Sequence, residues 1–251
     1  MCPKNLKISF EREYFSKEKC RVQATELKER LKSLIESAFD VDMNLASRLE
    51  ELNRWVKNVK PGLLTAKPLV SLLLLQIIQD AEAWLILQSM PSEEERLAAL
   101  NVLSPALRYW YSDLFPKWLN ENDPKFYVWR QKIMAGEFTQ KDGALIESVS
   151  SEIQKRNSEI VRRYIADLSM ATDIIVCSRQ KPLCVQLTSL SDEHSQYKSD
   201  EWENTLRIWA IERGLFLSYN PATSNYVSQI VNIIIYNSNN LAPASYLKFN
   251  L

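Results

Sequence analysis

The sequence predicts a protein of mixed α and β structure, in which an N-terminal helical bundle precedes a mixed sheet flanked by helices. In the first half, apolar residues recur three and four positions apart between charged residues, as in amphipathic helices. In the second half, two short β-branched runs are joined by a polar turn within 172–188, TDIIVCSRQKPLCVQLT. The joint is expected at 138–141, so the predicted domains are 1–138 and 139–251.

Composition is that of a globular protein with a core, since 46% of its 251 residues are hydrophobic and 25% are charged. The 31 Lys and Arg equal the 31 Asp and Glu, so net charge provides no general attraction to nucleic acid or to an anionic membrane. The four glycines form neither common phosphate-binding loop, which argues against a nucleotide cofactor. Four cysteines without CxxC spacing, and an N-terminus without an apolar segment, indicate a cytoplasmic location.

Six helices are predicted in the first half from apolar periodicity and capping residues. They run from Ser16 to Phe39, from Met43 to Val56, from Pro68 to about Leu87 after a break at Pro61-Gly62, from the capping pair Ser92 and Glu95, from Ser104-Pro105 through Trp118, and from Asp123-Pro124 to about Gly136. The third contains the apolar run LVSLLLLQII, shorter than the ~20 residues that span a bilayer. Asp80 and Glu82 follow it, so a bundle core helix is predicted and no membrane span.

An aromatic cluster lies in the last two of these helices. It either stacks on bases or a ligand, or it forms the bundle core and its rim. Helical spacing without an interleaved basic stripe favours the core. Its members are Trp110, Tyr111, Phe115, Trp118, Phe126, Tyr127 and Trp129.

The second half is predicted to begin with one long helix from Thr139 or Asp142 to about Ala166, with no strand between it and Asp173. A hairpin follows, with strands Ile174 to Cys177 and Leu183 to Leu187. Reduced packing residues are expected at Cys177 and Cys184, which the predicted register places near each other.

The rest of the chain is predicted from caps and periodicity. A polar loop at Ser189 to Ser199 precedes a helix that Asp200 and Glu203 cap and that ends at Gly214. A strand at Leu215 to Tyr219, a helix at Tyr226 to Tyr236 and a strand at Tyr246 to Phe249 complete the sheet and its flanking helices.

Three polar residues of the hairpin form the candidate site. Gln186 and Thr188 lie two apart on one strand and therefore share a face, while Asp173 opens the preceding strand. An acid followed about a dozen residues later by two alternating polar positions resembles the restriction-endonuclease-like (PD-(D/E)XK) nuclease superfamily, over roughly 142–251. The string LCVQLTSLSDEHSQYKSDEWENTLRIWAIERGLFLSYNP also resembles the C-terminal parts of some bacterial proteins with degenerate versions of this fold.

The resemblance implies that Asp173 and Gln186 hold Mg²⁺ or Mn²⁺ and that Thr188 orients the attacking water. The family has Glu and Lys where this chain has Gln186 and Thr188, and commonly Pro where it has Thr172. The expected function is metal-dependent hydrolysis of DNA phosphodiesters, in DNA processing or defence against foreign DNA. Two alternatives stay open: a catalytically inactive module that binds DNA or a protein partner, with the helical half as adaptor, and a purely structural interaction module.

Further charged residues are candidates for supporting roles. The densest basic group, Lys155, Arg156, Arg162 and Arg163, either clamps DNA phosphates or forms an exposed face balanced by glutamates. An additional acid for the metal, if one exists, is expected among Glu147, Glu152 and Glu159, each of which also fits a solvated helix face. His194, in the predicted loop, is either a proton-transfer group or a surface residue.

Overall fold

The structure is a computed structural model that describes residues 24–57, 59, 67–136, 143–179, 181–189 and 192–251, with side chains for all of these except 24 and 192–195. The start of the first predicted helix, the break at Pro61-Gly62 and the predicted caps Thr139 and Asp142 lie outside the described residues.

Helices and one five-stranded sheet make up the described part of the chain. In chain order the elements are α1 (Ala24–Phe39), α2 (Met43–Lys57), α3 (Pro68–Gln88), α4 (Glu93–Val102), α5 (Pro105–Tyr109), a π-helix (Trp110–Leu114), α6 (Phe115–Asn120), α7 (Phe126–Ala135), α8 (Gly143–Lys155), β1 (Glu159–Val161), α9 (Tyr164–Met170), β2 (Ile174–Cys177), β3 (Leu183–Thr188), α10 (Asp192–Ile208), β4 (Arg213–Ser218), α11 (Tyr226–Asn240) and β5 (Ser245–Asn250). The predicted mixed α and β class is confirmed.

Packing divides the chain into two compact units. The first comprises 1–103, 115–123 and 127–138, and the second comprises 104–114, 124–126 and 139–251. The chain crosses between the units more than once, because the segments 104–114 and 124–126 pack with the second unit. The predicted joint at 138–141 lies outside the described residues.

Helices are the only regular secondary structure among the described residues of 24–136, as the periodicity predicted. Ser92 Oγ accepts a hydrogen bond from the backbone N–H of Glu95 at 3.2 Å, and Ser104 Oγ accepts one from Leu107 at 3.4 Å, so both predicted caps are present. The helix from Ser104 is not continuous α-helix, because Trp110–Leu114 is a π-helix.

Six of the seven members of the aromatic cluster are core residues that are at most 7% exposed, whereas Tyr127 is 60% exposed. The predicted place in the bundle is wrong for Trp110, Tyr111 and Phe126, which belong to the second unit. In the first unit, the indole N–H groups of Trp118 and Trp129 both donate to Asp123 Oδ2, at 3.4 and 3.2 Å. One buried acid thus satisfies two buried indoles.

Helix α3 is long and apolar enough to cross a membrane by length and composition, with 21 residues and a mean hydropathy of 1.6 in its most apolar window. The helix ends at Gln88, close to its predicted end, so the apolar run alone understated the length of the helix. Asp80 is 2% exposed, and Glu82 pairs with Arg30 of α1 at 2.8 Å. Such a helix is compatible with the core of a soluble bundle.

The prediction of one long helix that ends near Ala166 is wrong. Helix α8 ends at Lys155, and Asn157 then adopts a left-handed φ of 59° that α-helix cannot continue through. The next residues form β1, which pairs antiparallel with β2, so Ile160 opposes Val176. A strand therefore does precede the hairpin, contrary to prediction.

The five strands lie in sequence order. Strands β1, β2 and β3 pair antiparallel, while β3, β4 and β5 pair parallel. One face packs against α8 and α11 and forms the main core of the second unit, with Val185, Leu215 and Leu217 fully buried. We call this the α11 face. The opposite face, the α10 face, contacts Trp202, whose ring lies 5.5 Å from that of Phe216.

Helix α10 starts at Asp192, so the predicted loop at 189–199 and the predicted cap at Asp200 are wrong. Asp200 accepts a hydrogen bond from Gln196 in the middle of the helix instead. The helix ends before Ala210, which has a φ of 46°, and Gly214 belongs to β4. The predictions of α11 as a helix and of a last strand at 246–249 are confirmed.

Candidate functional site

Asp173 is positioned by a tight connection between α9 and β2. Ala171 ends α9 with a φ of 51°, and the hydroxyl of the buried Thr172 donates to Met170 O at 3.2 Å. The backbone N–H of Asp173 then donates to Val185 O at 2.9 Å. This bond adds Asp173 to the start of β2 and fixes it beside β3.

The hairpin register differs from the prediction by two residues. Cys184 lies opposite Ile175 and not Cys177, and Val185 lies opposite Ile174. One step further, Asp173 comes opposite Gln186. Because side chains alternate with a period of two, the shift leaves every residue on its predicted face while it brings Asp173 closer to Gln186 than to Thr188.

Asp173 and Gln186 contact each other through the amide nitrogen of the glutamine. Gln186 Nε2 donates to Asp173 Oδ2 at 2.8 Å, and the backbone N–H of Leu187 donates to the same oxygen at 2.6 Å. Gln186 Nε2 also lies 3.4 Å from Leu187 O. Asp173 is only 9% exposed. These bonds are charge-assisted and satisfy a carboxylate that is largely removed from water.

Thr188 lies two residues after Gln186 in β3, on the same face of the sheet. It is half-buried, it pairs in register with Ser218 of β4, and its backbone carbonyl accepts the N–H of Tyr219 at 2.9 Å. The three predicted residues therefore lie along one edge of the α10 face, but the bonds that hold Asp173 come from Gln186 and Leu187.

The donor set does not fit a magnesium or manganese ion. These cations need several oxygen ligands directed at one point. Here, two N–H groups are directed at the Asp173 carboxylate. Within the described ranges, no group of three or more His, Cys, Asp or Glu side chains is placed to hold a metal ion.

The four basic residues predicted to bind nucleic acid do not form one exposed face. Lys155 pairs with Glu152 at 2.6 Å, and Arg162 pairs with Glu147 at 3.3 Å. Arg163 is 3% exposed, and its guanidinium lies 5.6 Å from the ring centre of Trp110. The sequence misplaced them because it treated residues 142–166 as one helix, whereas the chain reverses at Asn157. Arg156 hydrogen-bonds to Asn232 Oδ1.

The three candidate acids for the metal, Glu147, Glu152 and Glu159, also do not lie on one helix. Glu147 and Glu152 are the ion-pair partners just described, and the Lys155 ammonium beside Glu152 lowers the pKa of that exposed carboxyl. Glu159 lies in β1 rather than in a helix. His194 lies in the first turn of α10 rather than in a loop, and its side chain is outside the described part of the structure.

Lys248 of β5 is a polar residue of the α10 face that the sequence did not indicate. It forms ion pairs with Asp200 at 2.9 Å and with Glu203 at 3.3 Å. Burial disfavours its charge, but the two carboxylates outweigh burial and raise the pKa of Lys248. The alternation of Tyr246, Lys248 and Asn250 was the available signal, yet the partners on α10 are about 50 residues away in sequence.

The two described cysteines are buried and form no disulfide, as predicted. Burial raises the pKa of the Cys177 thiol, and its Sγ donates to Arg179 O at 2.9 Å. A thiol with a raised pKa is a poor nucleophile at neutral pH. Both cysteines are packing residues rather than catalytic ones.

Comparison of the chain with known protein families, with curated proteins and with solved structures finds no match.

Proposed function

We propose that the second unit is a restriction-endonuclease-like module that has lost metal-dependent catalysis, and that the chain binds a protein partner through its helical unit, in DNA processing or defence against foreign DNA. The order of its elements supports the likeness: a helix, a strand, the short helix α9, a hairpin, a helix and a parallel strand follow one another. Strand β1 adds the strand that commonly precedes the hairpin in that superfamily. Reduced, buried cysteines are in keeping with a cytoplasmic location.

The contact between Gln186 and Asp173 is the observation that supports the proposed loss of catalysis. In the nuclease pattern, an acid at position 186 and Asp173 would share a cation between their oxygens. In this chain, an amide N–H occupies that place and donates to Asp173 Oδ2 at 2.8 Å. Since the N–H groups of Gln186 and Leu187 both donate to Asp173 Oδ2, hydrogen bonds stabilise this carboxylate where the nuclease pattern uses a metal ion.

A protein partner is favoured over DNA by the distribution of charge. Lys155 and Arg162 are paired with glutamates, and Arg163 is buried. Binding to DNA depends on several cations free to contact phosphates. The helical unit, in contrast, exposes Phe39, Val41 and Met43 by 44, 42 and 58% within five residues of one another. Exposed apolar clusters of this kind are typical of protein contact surfaces.

Plasmid nicking and metal titration test the proposal. Wild type should neither cleave supercoiled DNA with saturating Mg²⁺ or Mn²⁺ nor bind either ion by calorimetry. Gln186→Glu removes the N–H donor and places two carboxylates together, so it should bind Mn²⁺ and should be stabilised by it. The double variant Gln186→Glu, Thr188→Lys restores the family pattern and should cleave if the remaining site is intact.

Asp173→Ala is the matched control for structure. If Asp173 has only a structural role, this substitution should lower the free energy of unfolding by about 1 to 3 kcal/mol, because the Leu187 N–H is left unsatisfied. Asp173→Ala, like wild type, should not cleave DNA. Cleavage by wild type that disappears in Asp173→Ala would overturn the proposal and would establish the metal-dependent nuclease instead.

DNA binding is measured separately by fluorescence anisotropy with a labelled duplex. Wild type and the charge reversal Arg162→Glu should be equally weak binders at physiological salt. A clear loss of binding in Arg162→Glu, together with a steep salt dependence in wild type, would assign DNA as the partner.

A further inference from the structure

Strand β5 is the open edge of the sheet. Among the residues that the structure describes, β5 pairs with β4 along one side and with no strand along the other. The opposite edge, β1, is only three residues long and packs against α5. A six-residue edge is therefore left at β5, and such edges readily pair with other strands.

The direction of the outer backbone groups follows from the bonds to β4. The N–H of Ser245 donates to Glu212 O, and the N–H of Leu251 donates to Ser218 O, both toward β4. Backbone direction alternates along a strand, so Tyr246, Lys248 and Asn250 direct their N–H and C=O groups outward. Lys248 and Asn250 are exposed, and Tyr246 is half-buried.

We infer that β5 pairs antiparallel with β5 of a second copy of this chain, around a two-fold axis at Phe249, to form a continuous ten-stranded sheet. This inference does not depend on the proposed function. In this register, Phe249 faces Phe249 of the second copy and Leu247 faces Leu251 on the α11 face. All three side chains are only half-buried and lie at the margin of the core.

The other face of the strand is also self-complementary in this register. Lys248 faces Asn250 of the second copy, and the two outward-directed residues exchange backbone hydrogen bonds. A two-fold axis at Lys248 would place two ammonium groups directly opposite each other, which is unfavourable. An axis at Leu247 would place Phe249 opposite the polar Ser245. Of these three registers, only the one at Phe249 pairs apolar with apolar residues and avoids like charges.

The lysine that commonly protects an edge strand is also neutralised here. Lys248 is held by Asp200 and Glu203 of its own chain. Its charge therefore repels an approaching strand less than a free ammonium does. Because one strand and its flanking side chains make a small interface, below the ~1,200 Å² of the standard class, the dimer should be weak, with a dissociation constant in about the micromolar range.

Sedimentation equilibrium of the full chain tests the inference with a matched pair of variants. Wild type should convert from monomer to dimer between about 1 and 200 µM. Asn250→Pro removes an outward N–H and should stay monomeric, while Asn250→Ala keeps that N–H and should dimerise like wild type. Equal melting temperatures of the two variants establish that the fold is retained.

Disulfide cross-linking tests the register of the two β5 strands. It uses a chain in which Cys2 and Cys20 are replaced by Ser. Phe249→Cys should cross-link between copies on oxidation, because opposed residues of a non-hydrogen-bonded pair lie about 4.5 Å apart at Cα. Asn250→Cys should not, since its two copies would be about 8 to 9 Å apart. A wild type that is monomeric at all concentrations, or a dimer that persists in Asn250→Pro and does not cross-link at 249, overturns the inference.

Discussion

Arg213 at the start of β4 is a buried charge without a carboxylate partner among its hydrogen bonds, which all go to backbone carbonyls. Its three nitrogens donate to Leu241, Asn237 and Ser238 at the end of α11, and to Lys181 and Pro182 in the hairpin turn, at 2.7 to 3.0 Å. Desolvation lowers the pKa of this guanidinium. The negative end of the α11 dipole compensates part of that cost. One side chain thus joins the helix, the turn and the sheet.

Arg213→Lys should lower the free energy of unfolding by about 2 to 4 kcal/mol. A lysine has three donors on one nitrogen and cannot reach both the helix end and the turn, so several buried carbonyls lose their partners. Urea denaturation measures the change. The matched control is Arg207→Lys, since Arg207 is exposed and pairs only with Glu203 among the described carboxylates. Equal losses in the two variants would contradict the role assigned to Arg213.

The candidate site shows what residue patterns can and cannot predict. Alternation along β3 was enough to place Gln186 and Thr188 on one face, and the position of Asp173 at the strand start was also predicted. Which atom of Gln186 meets Asp173 was not predictable, because that depends on the hairpin register and on the Leu187 N–H that shares the same oxygen.

At the scale of elements, Gly214 lets α10 pack closely on β4. A Cβ atom at this position would lie 2.2 Å from Leu206 Cδ1 and 2.8 Å from Trp202 Cζ2. The indole of Trp202 is itself fixed between Phe216 and Tyr246. The sequence indicated this glycine as a helix stop, whereas its role is to leave room for a buried ring.

Gly214→Ala should therefore destabilise the protein by about 1 to 3 kcal/mol, as expected for an added methyl group in a packed core. In a Leu206→Ala background, where the nearest contact is removed, Gly214→Ala should cost less than it does in wild type if the clash is the cause. Thermal denaturation of the single and double variants measures both. A neutral or stabilising Gly214→Ala would show that the helix can shift away from the strand.

Helix and strand boundaries were predicted well where apolar periodicity decided them. The start of helix α11 and the position of strand β5 are examples, whereas α11 continues beyond its predicted end at Tyr236 through polar residues to Asn240. Prediction failed at Asn157 and Ala210, where non-glycine residues adopt left-handed φ angles of 59° and 46°. Apolar residues on both sides of Asn157 continue a helical spacing by coincidence, so periodicity alone could not show that the chain reverses into β1.

At the scale of the molecule, the second unit contains two parallel crossovers of opposite hand. Both β3–α10–β4 and β4–α11–β5 step in the same direction across the sheet, yet α10 and α11 pack on opposite faces. One crossover is therefore left-handed, which is rare for parallel strands. No pattern in the sequence indicates this, because handedness depends on which face of the sheet each helix covers.

Two tryptophans eight residues apart should report on different units. Trp110 is fully buried in the second unit against Arg163, and Trp118 is fully buried in the first unit against Arg48 at 5.1 Å. Replacing a buried Trp by Ala costs about 3 to 5 kcal/mol. In hydrogen exchange of the full chain, Trp110→Ala should raise exchange in β1 and β2, whereas Trp118→Ala should raise it in α2. Each variant is the control for the other, and faster exchange of the same segments in both would contradict the division of residues 104–123 between the two units.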